Sequence, residues 1–194
     1  MKTGIEYIGS LEHRAFDLLG SLLLAIPSVP VAAAAAIAIK SELGGASSIM
    51  RQRRVGMHGS TFDLFKLRTF LDQLADGSND IGGSEHPLAS PRAKLIRKKG
   101  LDEVPQLANV ICGDMHLVGL RPQLPEVLEE RAEADKGLFN DWYWWYERNI
   151  GILGDGQAYA HGFGTYNENS SVVCEVMRLD IAGCESASIA TQTA

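Results

Sequence analysis

The chain has 194 residues, 45% of them apolar, and 18 Lys and Arg against 24 Asp and Glu give a net charge of −6. That length suits one medium domain with a real core, or a smaller domain with an appendage, and no repeat period is visible. The acidic balance argues against a general nucleic-acid binder. Three cysteines without a Cys-x-x-Cys spacing (Cys112, Cys174 and Cys184) argue against a complete disulfide framework and suit a reducing, cytoplasmic setting.

The first predicted element is apolar. Residues 18–39, between Asp17 and Lys40, carry no charge and at 1.5 Å per residue match a hydrocarbon core of about 30 Å. Pro27 and Pro30 lie near the middle, with Ser28 between them. Proline removes backbone donors, so two half-helices joined by a bend are expected, with the Ser28 hydroxyl available to a freed carbonyl. Arg14 precedes the run, and Lys40, Arg51, Arg53 and Arg54 follow it. Cations on both flanks favour a re-entrant hairpin, both ends on the cytoplasmic side, over a kinked spanning anchor. Glu6, Glu12 and Asp17 disfavour a signal peptide. Residues 5–16 are expected to lie along the interface, so residues 1–40 form the membrane segment.

Gly44-Gly45-Ala46-Ser47-Ser48 punctuates the exit from that segment. Residues 51–70 read as a hairpin: a short strand to Val55, a turn at Gly56-Met57-His58-Gly59, and an alternating strand from Thr61 to Leu67. Lys66 and Arg68 are expected on one strand face, either solvated or turned toward an anion. Residues 72–90, rich in Asp, Gly, Ser and Asn, read as a mobile loop without chemistry.

A cationic run, Arg97-Lys98-Lys99, leads through Gly100 into Leu101-Asp102-Glu103-Val104-Pro105-Gln106. Apolar Leu101, Val104, Leu107, Ala108 and Ile111 follow helical spacing up to Gly113, which predicts a short amphipathic helix with both acids in its first turn. Free N–H groups and the positive dipole end there favour ionised carboxylates. Asp102 is therefore expected to be unprotonated at neutral pH and able to act as a nucleophile. Glu103, about 100° further round the helix, is placed to hold a hard cation such as Mg²⁺ through oxygen. Acids that merely satisfy the dipole are the plainer alternative.

Four stretches in this order resemble one family: His13-Arg14-Ala15-Phe16-Asp17 before the proline-interrupted run; Gln52-Arg53-Arg54-Val55-Gly56 with Phe65-Lys66-Leu67-Arg68-Thr69; Leu101-Asp102-Glu103-Val104-Pro105-Gln106; and Gly113-Asp114-Met115-His116-Leu117-Val118-Gly119-Leu120-Arg121-Pro122. The chain resembles the monotopic polyprenol-phosphate phosphoglycosyl transferases, or bacterial sugar transferases, over roughly residues 13–126. The resemblance implies a predominantly helical α+β catalytic domain, here residues 41–181, on the cytoplasmic face of the bacterial inner membrane. It implies transfer of a phosphosugar from a UDP-sugar to polyprenol (undecaprenyl) phosphate through a covalent aspartyl-phosphosugar, the first step of an exopolysaccharide or other surface glycan. By position, Asp102 matches the nucleophile and Glu103 the partner of Mg²⁺. Arg97 and Arg121 match phosphate-binding positions, with Lys66, Arg68 and Gln157 as further candidates. The competing expectation is a non-catalytic paralogue that binds a nucleotide sugar or an active transferase.

Several positions depart from the family pattern. Val29, not Ser, precedes Pro30, and Pro27 is additional. Gly100 replaces a hydroxyl residue, Leu120 a proline, and His116 a small polar residue with no evident partner. Asn149 stands where arginine is expected, with Arg148 one position away as its substitute. The cluster Trp142, Tyr143, Trp144, Trp145 and Tyr146 suits a membrane interface, a core or a stacking surface. After Arg178-Leu179-Asp180 the polar sequence of residues 182–194 predicts a disordered tail in place of the family's last helix.

Overall fold

The computed structural model describes residues 8, 10–69, 90–154 and 170–193. Helix α1 (Leu11–Ile39) runs into a 3₁₀ turn (Lys40–Leu43) and the hairpin β1 (Ile49–Val55) and β2 (Thr61–Leu67). Helix α2 (Pro91–Lys98), a 3₁₀ turn (Leu101–Glu103) and α3 (Gln106–Cys112) follow. Then come β3 (His116–Val118), α4 (Pro125–Ala134), α5 (Lys136–Tyr146), β4 (Gly151–Leu153) and α6 (Ser170–Thr193). The described fold is therefore mostly helical with a short antiparallel strand pair, as expected. A second, parallel pair of strands was not legible in the sequence.

Helix α1 has two unlike faces. His13, Asp17, Ser21, Ala32 and Ile39 are buried, with Ala25, Ser28 and Ala35 half-buried between them. Steps of three or four residues place these on one stripe. Leu19, Leu23, Ile26 and Ile37 are each about 70% exposed on the other side. Within Leu11–Leu43 the helix is long and apolar enough to cross a membrane by length and composition. Such a bare apolar face is consistent with a membrane anchor.

The helix is continuous through both prolines, where a break between two half-helices was expected. Proline's fixed φ is itself helical; what it removes is a donor and local room. The Ser28 hydroxyl donates to the Leu24 carbonyl at 2.7 Å, one turn back, beside the two carbonyls that lose their partners.

The hairpin forms where the alternating pattern placed it, with register from Ile49↔Leu67 to Val55↔Thr61. Strands β3 and β4 pair in parallel, His116 with Gly151 and Val118 with Leu153. Glycine makes that approach possible: a Cβ on Gly119 would meet the Asn149 carbonyl oxygen at 2.8 Å. Three-residue strands carry too little alternation to register as a pattern.

The main core gathers Leu64, Val110, Met115, Leu117, Trp142, Tyr146, Ile150 and Met177. Trp142 and Tyr146 are fully buried, so the aromatic cluster is chiefly core, although Trp144 remains exposed. Trp142 Nε1 donates to Asp180 Oδ2 at 2.9 Å, and the Tyr146 hydroxyl donates to the Val55 carbonyl at 2.6 Å.

The expected disordered tail is instead helical. Helix α6 runs to Thr193, burying Val176, Met177, Asp180 and Cys184 against the core. Those residues recur at helical spacing, and packing onto α5, together with the helix-favouring alanines, outweighs the weaker propensity of the Gly and Ser around them.

Candidate active site

The acid pair sits in a turn tighter than the predicted α-helix. Gly100 takes a left-handed conformation, φ +66°, that reverses the chain after α2. Glu103 N–H then donates to the Gly100 carbonyl at 3.1 Å, and Leu107 N–H to the Val104 carbonyl at 3.1 Å. Pro105 has no N–H to offer an α-type bond, so 3₁₀ geometry persists until α3 begins at Gln106. Gly100 therefore serves the backbone turn, which a hydroxyl residue would enter only with strain. Both acids are half-buried.

Cations converge on this turn from three directions. Arg121 Nη1 donates to Glu103 Oε1 at 2.7 Å. Lys66, only 4% exposed near the end of β2, and Arg97, in the last turn of α2, both act on Asp102 through their charge. Burial is the largest influence on Asp102 and the neighbouring Glu103 charge adds to it, raising the pKa to about 6 from 3.8. Lys66, Arg97 and the residue's own N–H oppose that rise. At pH 7 a group with this pKa is about nine-tenths ionised. Ionisation at neutral pH thus agrees with expectation, although desolvation outweighs the anticipated favourable influences.

Buried polar contacts hold these groups in place. Asn109 on α3 accepts the Phe65 N–H at 3.0 Å and donates to the Asp63 carbonyl at 2.8 Å and to Asp114 Oδ2 at 2.9 Å. It therefore pins β2, and Lys66 with it, against the acid-bearing segment. Arg54, 2% exposed, donates to the Pro122 carbonyl at 3.1 Å while Gln52 Oε1 braces its Nε and Nη2. The hairpin thereby fixes the turn that carries Arg121. Sequence reasoning missed both roles; a polar Asn or Arg at a position that pattern or register marks as buried was the available signal.

The profile of the bacterial sugar transferases matches residues 8–193. The chain belongs to this family. It is 36% identical over 118 residues to an undecaprenyl-phosphate glucose phosphotransferase of Komagataeibacter xylinus, covering 60% of this chain and 22% of that protein. It is 35% identical over 114 residues to a UDP-glucose:undecaprenyl-phosphate glucose-1-phosphate transferase of Caulobacter vibrioides, covering 58% and 42%. It is 32% identical over 135 residues to an undecaprenyl-phosphate galactose phosphotransferase of Salmonella typhimurium, covering 62% and 28%. The aligned parts span between about a fifth and under half of the length of these three relatives.

Other predicted positions of this sugar transferase fall differently. Arg68 lies just beyond β2, and its Nε donates to the Ser47 carbonyl at 3.1 Å, anchoring the loop before β1. Arg148 does not reach the acid pair in the role of the expected arginine. It pairs with Glu147, donates to the Trp144 carbonyl and lies over the Trp144 ring at 4.6 Å. Gln157 and most of residues 72–90 lie outside the described residues.

His116 is not the unpaired substitution it looked like. Its Nδ1 donates to Asp17 Oδ2 at 2.7 Å, and Asp17 Oδ1 accepts the Leu117 N–H at 2.9 Å. The partner lies 99 residues away in α1. Beside it, Arg14 donates to the Val110 and Ile111 carbonyls at 2.6 Å each, capping α3. The first motif of the family resemblance thus docks the apolar helix onto the domain that bears the acid pair.

Proposed function

We propose that this sugar transferase moves a phosphosugar from a UDP-sugar to polyprenol phosphate, undecaprenyl phosphate in bacteria, at the cytoplasmic face of the inner membrane, and so begins a surface glycan such as an exopolysaccharide. The observation that carries this reading is a half-buried carboxylate on which the charges of Lys66 and Arg97 act while Arg121 holds its neighbour Glu103. The printed names of the relatives support it, one of them naming UDP-glucose as donor.

In the first step an Asp102 carboxylate oxygen attacks the β-phosphorus of the UDP-sugar. The bond from that phosphorus to the bridging oxygen breaks, and UMP leaves with the bridging oxygen's electron pair. In the second step a phosphate oxygen of the polyprenol phosphate attacks the same phosphorus, giving the diphosphate-linked sugar and returning Asp102 as carboxylate. Lys66, Arg97 and Arg121 offset the charge that spreads over the phosphoryl oxygens, and Arg121 is best suited to it by its planar fork. Its bond to Glu103 orients the fork before substrate arrives.

Two adjacent carboxylates with no thiolate or imidazole among them fit Mg²⁺, which binds through one or two carboxylates and the substrate's phosphates. Glu103 would hold the ion with Asp102 beside it. When bound, it neutralises diphosphate charge.

The anchor is one continuous helix rather than two half-helices. Its buried stripe lies on the domain near both ends: His13 and Asp17 meet β3, while Ile39 and Leu43 pack on Ile96. The competing reading as a degenerate paralogue drew on a missing last helix, and α6 occupies that part of the chain.

The test is incubation of the purified protein with Mg²⁺, undecaprenyl phosphate and a panel of UDP-sugars, with UMP as the readout. UMP release, together with sugar label retained on the protein when the acceptor is omitted, is expected. Full activity in Asp102→Asn, or no UMP from folded protein with any donor, would overturn the proposal.

A further inference from the structure

Away from the acid pair, three side chains of ligand type meet where α1 docks on β3. His13, Asp17 and His116 each present one nitrogen or oxygen, and those atoms lie within 4.8 Å of one another. All three residues are buried, at 6, 0 and 9% exposure. The two imidazoles lie side by side with centroids 4.3 Å apart and planes inclined at 31°. His13 and Asp17 are four residues apart, one turn of the same helix face. Asp17 is held from behind by the Leu117 N–H at 2.9 Å, which fixes the direction of its carboxylate.

Two neutral imidazoles and a carboxylate are the nitrogen and oxygen donor set of borderline divalent transition ions, whereas Mg²⁺ takes oxygen alone. Donors bound at about 2.0–2.1 Å sit roughly 3.3 Å apart in a tetrahedron. The 2.7 Å His116–Asp17 pair must therefore open slightly and the widest pair close by about 1.5 Å, movements within reach of side-chain rotation.

We propose that His13, Asp17 and His116 form a site for a divalent transition ion of the Zn²⁺ class, with its fourth position open to water, which cross-links the apolar helix to the catalytic domain. The ion would displace the proton shared by His116 and Asp17 and join segments 99 residues apart in sequence. Its place is structural and separate from Glu103, so it stands independently of the transferase reading.

The experiment strips the purified chain, in detergent or nanodiscs, with a chelator and then equilibrates it with Zn²⁺ alone. Wild type and Asp102→Asn are expected to retain one equivalent at this site and to gain at least about 3 °C in unfolding midpoint. His13→Gln and His116→Gln are expected to lose both. Because Cys112, Cys174 and Cys184 are free thiols, X-ray absorption on zinc-loaded wild type reads the ligands directly, and a shell of nitrogen and oxygen without sulfur is expected. That spectrum decides the matter even where a variant fails to fold. No stoichiometric retention, a sulfur-containing shell, or undiminished binding in folded His13→Gln or His116→Gln would overturn the site.

Discussion

The chain uses an aspartate in two contrasting ways. Asp17 is fully buried, and both its oxygens hold hydrogen bonds, from His116 and from the Leu117 N–H. Asp102 is half-buried and influenced by charge, and among the described residues no other side chain is seen to hydrogen-bond it. A carboxylate whose lone pairs are occupied is a fastener, because breaking it leaves a buried donor unmatched. One kept by burial at a pKa of about 6, with cations near but not closed upon it, retains lone pairs for chemistry. The difference between a fastener and a candidate nucleophile here lies in how many lone pairs the surroundings occupy, not in residue type.

The contrast is broken most directly at Asp102. Asp102→Asn is expected to lower UMP release by at least about 10³-fold and to abolish covalent sugar labelling, while the protein stays folded. Its stability should move the other way. The folded state binds this proton more tightly than the unfolded chain, so burial costs nothing below about pH 4 and most above about pH 6, by roughly 2 to 3 kcal/mol. Melting curves of the variant against wild type should show a gain at pH 7.5 that vanishes near pH 4.

Asp17→Ala should do the reverse. It strands the Leu117 N–H and the His116 Nδ1–H in a buried place and is expected to lower stability by about 2–4 kcal/mol in denaturant titration, with kcat of the folded fraction kept within about threefold. Arg121→Lys keeps the charge but not the fork. A fall in kcat/KM of about 10- to 100-fold is expected in the UMP assay, larger than the change in melting temperature would explain.

Proton binding sharpens the same comparison without mutation. In the proposed mechanism the ionised form of Asp102 reacts, so kcat/KM should fall about tenfold between pH 7.5 and pH 5, bending near pH 6. The smallest expected effect is at Gly100. Nothing lies within 4 Å of a Cβ there, so Gly100→Ala meets no clash and costs only the left-handed backbone, about 1 kcal/mol by thermal unfolding.

Much of this was legible locally. The hairpin of residues 51–70, the acids after a cationic run and the Gly113 stop follow from short-range pattern, and the structure keeps each nearly where it was read. The reading of residues 182–194 failed because a polar composition there does not reveal what it packs against, while the stabilising contacts of Met177 and Cys184 are long-range. The short parallel strands failed for the related reason that three residues are too few for periodicity, and their pairing depends on bare glycine backbones meeting.

What the sequence by itself determined is therefore the kind of chain: an apolar helix, a cationic middle, and an acid pair directly after a cationic run. Alternation, spacing and charge are local properties and survive without knowledge of contacts. Only the tertiary structure decided which cations reach Asp102, that Arg68 and Arg148 turn elsewhere, and that His116 answers Asp17 across 99 residues. Those outcomes depend on which surfaces are brought together and dried, and burial energies belong to the assembled fold rather than to any short stretch of it.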